Sequence, residues 1–258
     1  MKFFKKSPKI ELTQAKIDAL VARIKAKKPD GFKRFIYAVV ACFFVGYFGI
    51  SPAIKLFMPA DMAELDRLRA EMKSIKDRET AEQALGDYTL RIMMMTTAST
   101  KLSDAKKQVL AREIVRVAND TFDTLDHKHA FVGLLAIESA FQRHAVSPTG
   151  PRGLGQVGHG ALKEGLSVCG ITKFDDSDVF DTTLNLTASA CYFRTILEAN
   201  GGDIIASLVF YNQGPSSESG KKYAKTGQLD NIEALKYVAR FSFLKQKAAD
   251  LQPKTTGK

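Results

Sequence analysis

The sequence predicts a mainly α-helical domain standing behind one apolar, membrane-length segment. Three observations predict it. From Leu102 onward apolar residues recur at i, i+3, i+4 and i+7 almost to the end, while alternating strand patterns are scarce. Residues 35–54, FIYAVVACFFVGYFGISPAI, run for 20 residues without a charge. Between these regions, Asp61–Gln83 is rich in charge and free of Gly and Pro. A length of 258 residues with 45% hydrophobic content suffices for one sizeable core with appendages.

The N-terminal segment, residues 1–34, holds eleven Lys or Arg against three acids, which is +8 of the chain's +10. The basicity is a property of this tail, so no nucleic-acid partner is expected for the folded domain. Ile17, Leu20, Val21 and Ile24 form a short stripe after Thr13, ringed by lysines. That pattern suits an anionic leaflet or a docking partner, and equally a solvated tail. The run 35–54 matches a hydrocarbon core of ~30 Å. It is longer than the ~7–15 apolar residues of a cleaved signal peptide. A single transmembrane helix is expected over 35–56. The positive-inside rule keeps 1–34 in the cytoplasm and sends the rest across the membrane.

Residues 57–100 read as a helical stalk or linker, with Leu65, Leu68, Met72 and Ile75 at steps of 3, 4 and 3 and the reading of 86–100 left open. The catalytic candidate domain is expected over 101–250, with a flexible tail at 251–258. Ser103 caps a helix bearing Val109, Leu110, Ile114 and Val117. Further helices are expected over 129–142, 181–200, 203–210 and 231–249. Cys169 and Cys191 are compatible with a disulfide or with two buried thiols. The three cysteines lack zinc spacing, and the four histidines lack a motif such as HExxH, so neither a metal nor a cofactor is expected. Gly153-x-Gly155-x-x-Gly158 matches GxGxxG, but a helix and a proline-rich loop precede it where a dinucleotide site needs a strand.

Glu138 stands out as a lone carboxylate within an apolar helix. Leu134 and Leu135 lie at i−4 and i−3, and Phe141 at i+3, so the acid should be partly desolvated and its pKa raised. Such an acid can stay protonated near neutral pH and act as a general acid. The helix alone favours an acid satisfied by an arginine or by loop amides, for instance Arg143 or Arg152. The loop that follows, HAVSPTGPRGLGQ over 144–156, packs prolines and glycines around Ser147 and Gln156. Such a loop holds one shape and admits a ligand closely.

Four ordered blocks then carry a resemblance. They are Glu138-Ser139-Ala140-Phe141 with Ala145-Val146-Ser147, Gly150 and Gly153-Leu154-Gly155-Gln156; Leu184-Asn185-Leu186 with Ser189-Ala190 and Tyr192-Phe193; Ala206 with Phe210-Tyr211-Asn212-Gln213-Gly214-Pro215; and Tyr237-Val238. Together they resemble the soluble lytic transglycosylase (SLT) family, over roughly residues 102–245. The resemblance implies a lysozyme-like fold of the goose-type lysozyme/SLT kind. It implies cleavage of peptidoglycan between N-acetylmuramic acid and N-acetylglucosamine. Glu138 would be the catalytic acid, and Ser147, Gln156, Tyr211, Asn212 and Tyr237 would bind substrate, Tyr237 also orienting the acid. The substrate's own N-acetyl group would attack the anomeric carbon, giving a 1,6-anhydro product. Hydrolysis, as in goose-type lysozymes, and a catalytically inert wall-binding subunit are the rival readings. Departures from the pattern are Gly155 where Met is usual, Val157-Gly158-His159 for Leu-Met-Pro, Gln213 for Ala, and Ser189 for Gly. The expected partners are peptidoglycan and the inner membrane, or a virion's internal membrane. A secretion, conjugation or phage DNA-delivery assembly would be the setting.

Overall fold

The computed structural model describes residues 59–96, 102–214 and 217–251. The predicted tail, the span at 35–56 and the end at 252–258 lie outside the described residues. No described helix is long and apolar enough to cross a membrane. The chain divides into two compact units, Met1–Ile75 and Lys76–Lys258. In the first unit the described residues are helical, and Met72 and Ile75 are exposed.

Among the described residues the secondary structure is helical, with two isolated β-bridges that join Arg152 to Val146 and to Val157. In chain order the elements are α1 (Pro59–Thr96), α2 (Asp104–Thr121), α3 (Leu125–Ser139), α4 (His159–Val168), a 3-10 turn (Asp176–Phe180), α5 (Thr182–Ala199), α6 (Ile204–Gln213), α7 (Glu218–Thr226) and α8 (Ile232–Asp250). Ser103, Thr124, Asp181, Asp203, Ser217 and Asn231 each cap the helix that follows, accepting a backbone N–H at its first turn.

The core is built around α3. Ala130 to Ala136 are buried without a break, as expected of a helix that is apolar on every side. α2, α6 and α8 pack on it. Gly133 permits the closest of these approaches: a Cβ there would lie 2.6 Å from a ring carbon of Phe241 on α8. A second, smaller cluster joins α4 and the 3-10 turn to α5 through Leu162, Leu166, Val179 and Ala188. Cys169 and Cys191 form a disulfide across that contact, with Cα atoms 6.1 Å apart.

Several expectations need correction. The stalk was taken to run through residue 100, but Leu85, Tyr88, Ile92 and Met93 are buried in the core. Their 3–4 spacing gives the last turns of α1 an apolar stripe, so they belong to the domain. Met94, between two partly or fully buried methionines, faces solvent. Val109 is 60% exposed, because α2 turns Ala111, Ile114, Val115, Val117 and Ala118 inward instead. α4 and α7 were not foreseen. Both are short and contain glycine, and α7 stands on its Ser217 cap and a left-handed Gly227.

Candidate active site

Glu138 occupies the last turn of α3. The helix runs Leu125–Ser139 rather than 129–142, and it stops because Ala140 and Phe141 take φ of 48° and 60°. Phe141 is therefore not a same-face helical neighbour of Glu138. It leaves the helix and is buried in the main core beyond the helix end. Left-handed backbone at two consecutive non-glycine residues is costly and persists only where surrounding packing enforces it. Gln156, at φ 48°, is the third non-glycine residue with positive φ among the described residues. All three fall within 21 residues of chain, Ala136–Gln156, around the acid.

The carboxyl of Glu138 is half-buried and accepts a hydrogen bond from the Tyr237 hydroxyl, Oη to Oε1 2.5 Å. Burial pushes its pKa up to about 7, against the Tyr237 hydrogen bond and the Arg240 charge, which both favour the ionised form. The loop arginines do not serve it in the way a structural acid would need. Arg143 donates instead to the Phe180 carbonyl at 2.7 Å, and Arg152 is exposed. Tyr237 is buried on α8, one turn before Phe241, so the close α3–α8 approach at Gly133 delivers the hydroxyl to the acid.

The Pro/Gly loop is tied to the helices at several points. Ser139 Oγ, one residue after the acid, donates to the Leu154 carbonyl at 2.7 Å. Buried Asn185 on α5 accepts from the Gly155 N–H at 2.9 Å and donates to the carbonyls of Val179 (2.9 Å) and Arg152 (3.2 Å). Gln156 Nε2 donates to the Gly153 and Ala145 carbonyls at 2.8 and 3.1 Å. Gln156 thus spends its amide N–H groups on fixing the loop. Tyr211 Oη donates to the Gly155 carbonyl at 2.8 Å. Its ring lies against those of Tyr192 and Phe193. Burial, and next the Glu138 charge, hold the Tyr211 hydroxyl well above the usual phenol range.

Two expected residues stand apart from the acid in their bonding. Ser147 Oγ lies 3.0 Å from Thr149 Oγ1, within its own turn of the loop. Asn212 Oδ1 accepts from Gln213 Nε2 at 2.6 Å. Gln213 Oε1 in turn accepts from Asn231, the cap of α8, at 3.1 Å. The Gln213 departure noted in the sequence therefore links the Tyr211-Asn212 end of α6 to the helix that carries Tyr237. Ser139, Asn185 and Ser189 were quoted in the motifs but given no role. Their signal was available: each is a polar residue at a buried helical position, which must find partners. His129 stacks on Tyr88 at 3.9 Å between ring centroids, and His144 lies 5.5 Å from the Phe180 ring. No group of three or more potential metal ligands occurs among the described residues.

A half-buried acid with a raised pKa, held by a tyrosine beside a fixed polar loop, can protonate a leaving oxygen and later reclaim a proton. Residues 125–233 match the family model of the transglycosylase SLT domain. The matched segment begins at the first residue of α3 and ends at the start of α8. Tyr237 and the buried end of α1 lie outside it, yet they share its core, and Tyr237 bonds the acid. Among solved structures, an inactive Glu-to-Gln mutant of the lytic transglycosylase Slt from Pseudomonas aeruginosa is similar at 21% identity. That match covers 55% of this chain and 24% of that one, with a TM-score of 0.46. This chain therefore spans about a quarter of that protein's length. No curated protein matches the chain in sequence.

Proposed function

We propose that this chain is a membrane-tethered lytic transglycosylase that cuts the N-acetylmuramic acid–N-acetylglucosamine bond of peptidoglycan and leaves a 1,6-anhydro end. The observation that carries the reading is the state of Glu138, an acid whose pKa of about 7 keeps much of it protonated near neutral pH. Tyr237 donates to Oε1, so the proton resides on Oε2 and passes from there to the glycosidic oxygen as the bond breaks. The N-acetyl carbonyl of the substrate attacks the anomeric carbon in the same step. Glu138, now ionised, takes the proton from the 6-hydroxyl as that oxygen closes on the anomeric carbon and displaces the N-acetyl oxygen, which returns to an amide carbonyl. One carboxylate serves both transfers, unlike the two-carboxylate glycosidases. Burial rather than a neighbouring acid raises its pKa, in keeping with this economy.

Tyr211 and Asn212 line the substrate side of the acid in this proposal, and Gln156 and Ser147 shape the loop over it. The uncharged run at 35–54 anchors the enzyme, with residues 1–34 in the cytoplasm and the catalytic domain beyond the inner membrane. The Cys169–Cys191 disulfide fits an oxidising compartment on that far side. A tether confines cutting to wall near the membrane, which suits local opening for a secretion, conjugation or DNA-delivery apparatus.

The test is the product. Purified cell-wall sacculi are digested and the fragments weighed by mass spectrometry. Anhydro-muramic ends are expected. Reducing muramic ends would show hydrolysis, and undigested sacculi a binding protein only. Protease added to spheroplasts checks the topology: the catalytic domain is expected to be cleaved, and its protection would place it in the cytoplasm.

A further inference from the structure

We infer that Gly155 and Ser189 are an interlocked pair that fixes Tyr211 beside Glu138. The inference rests on the lytic transglycosylase reading of this site. Gly150 and Gly153 answer to their backbone, at φ of 106° and 78°, but Gly155 has no left-handed φ. Its reason is steric. A Cβ on Gly155 would overlap Ser189 Oγ, come within 2.5 Å of Ser189 Cβ, and lie 3.3 Å from the Tyr211 hydroxyl. Ser189 cannot swing away easily. It is fully buried on α5, and its Oγ donates to the Asn185 carbonyl at 2.6 Å. The peptide at 155 is equally held: Asn185 Oδ1 takes its N–H and Tyr211 Oη donates to its carbonyl. An added methyl group must therefore displace the loop, and the loop carries the acceptor that positions Tyr211.

Glycine at 155 and the larger residue at 189 are thus two sides of one contact between the loop and α5. The two residues are positioning residues, acting on the reaction through Tyr211.

The test compares full-length wild type, Gly155→Ala, Ser189→Gly and the double variant. Thermal midpoints are measured, together with kcat and KM on a soluble peptidoglycan tetrasaccharide at a temperature where all four are folded. Gly155→Ala is expected to lower the midpoint and to cut kcat by about 10²-fold through misplacement, with KM changed far less. The double variant is expected to recover both quantities to near those of Ser189→Gly. Gly155→Ala behaving as wild type would overturn the inference, and so would a double variant as impaired as Gly155→Ala. A wild type inactive on the tetrasaccharide would sink the enzymatic reading instead, while the four midpoints still judge the interlock.

Discussion

Glu138 is a carboxyl group whose surroundings disfavour its charge, and this has consequences for stability as well as for chemistry. Its folded pKa of about 7 lies above the ordinary carboxylate value of 4.5, so the native state binds the proton more tightly than the unfolded chain does. Stability from this group is full below pH ~4.5 and is lost as pH rises through ~7. Glu138→Gln should therefore raise the thermal midpoint at pH 8 and leave it nearly unchanged at pH 4. The same variant should lose activity by about 10³-fold or more, the scale of a removed general acid. Tyr237→Phe removes a hydrogen bond that favours the ionised form. Its Glu138 should titrate higher than in wild type, so the alkaline limb of the pH–rate profile should move to higher pH while the rate falls. A limb that moves down would mean that Tyr237 serves the neutral acid instead.

At the level of elements, the site depends on how closely helices approach and on what stops them. Gly133 sets the α3–α8 distance, and Gly133→Ala would drive a methyl group into Phe241. That variant should be destabilised by about 1–3 kcal/mol, the usual cost of overpacking. It should also weaken the Tyr237–Glu138 bond, which a shift of the pH–rate profile toward that of Tyr237→Phe would reveal. Asn185 makes three hydrogen bonds that hold Arg152, Gly155 and Val179. Asn185→Ala should cost about 2–4 kcal/mol by denaturant unfolding, since buried polar groups are left unpaired.

The helices of the domain were legible in the sequence where an N-cap preceded an apolar period, as at Ser103, Asp181 and Asn231. Glu138 was legible for a similar reason: a charge in an apolar run is conspicuous. Less legible was the end of α3, because left-handed φ at Ala140 and Phe141 is imposed by tertiary packing and leaves no compositional mark. The roles of Gln156 and Ser189 were hidden too. Each binds backbone carbonyls or steric space supplied by distant segments, and a linear pattern does not contain those distances.

At the scale of the molecule, two packed clusters among the described residues meet along α5, and the disulfide staples the smaller one. The bridge closes a loop of 22 residues, for which chain entropy gives about 3 kcal/mol. Reduction, or a Cys169→Ser/Cys191→Ser pair, should lower the unfolding midpoint accordingly, and identical midpoints with and without reductant would show that the bridge adds nothing. Composition did not mark the domain boundary, because it falls inside α1, between Ile75 and Lys76, ahead of the buried Leu85, Tyr88, Ile92 and Met93.

The central claim is that burial poises one acid, Glu138, to donate a proton near neutral pH. The pH dependence of kcat/KM on a soluble peptidoglycan fragment tests it most directly, because that profile reports the free enzyme's titrating groups. Activity is expected to fall above about pH 7 in a single titration. A profile that falls instead near the ordinary carboxylate value of 4.5, or stays flat through neutrality, would contradict that claim.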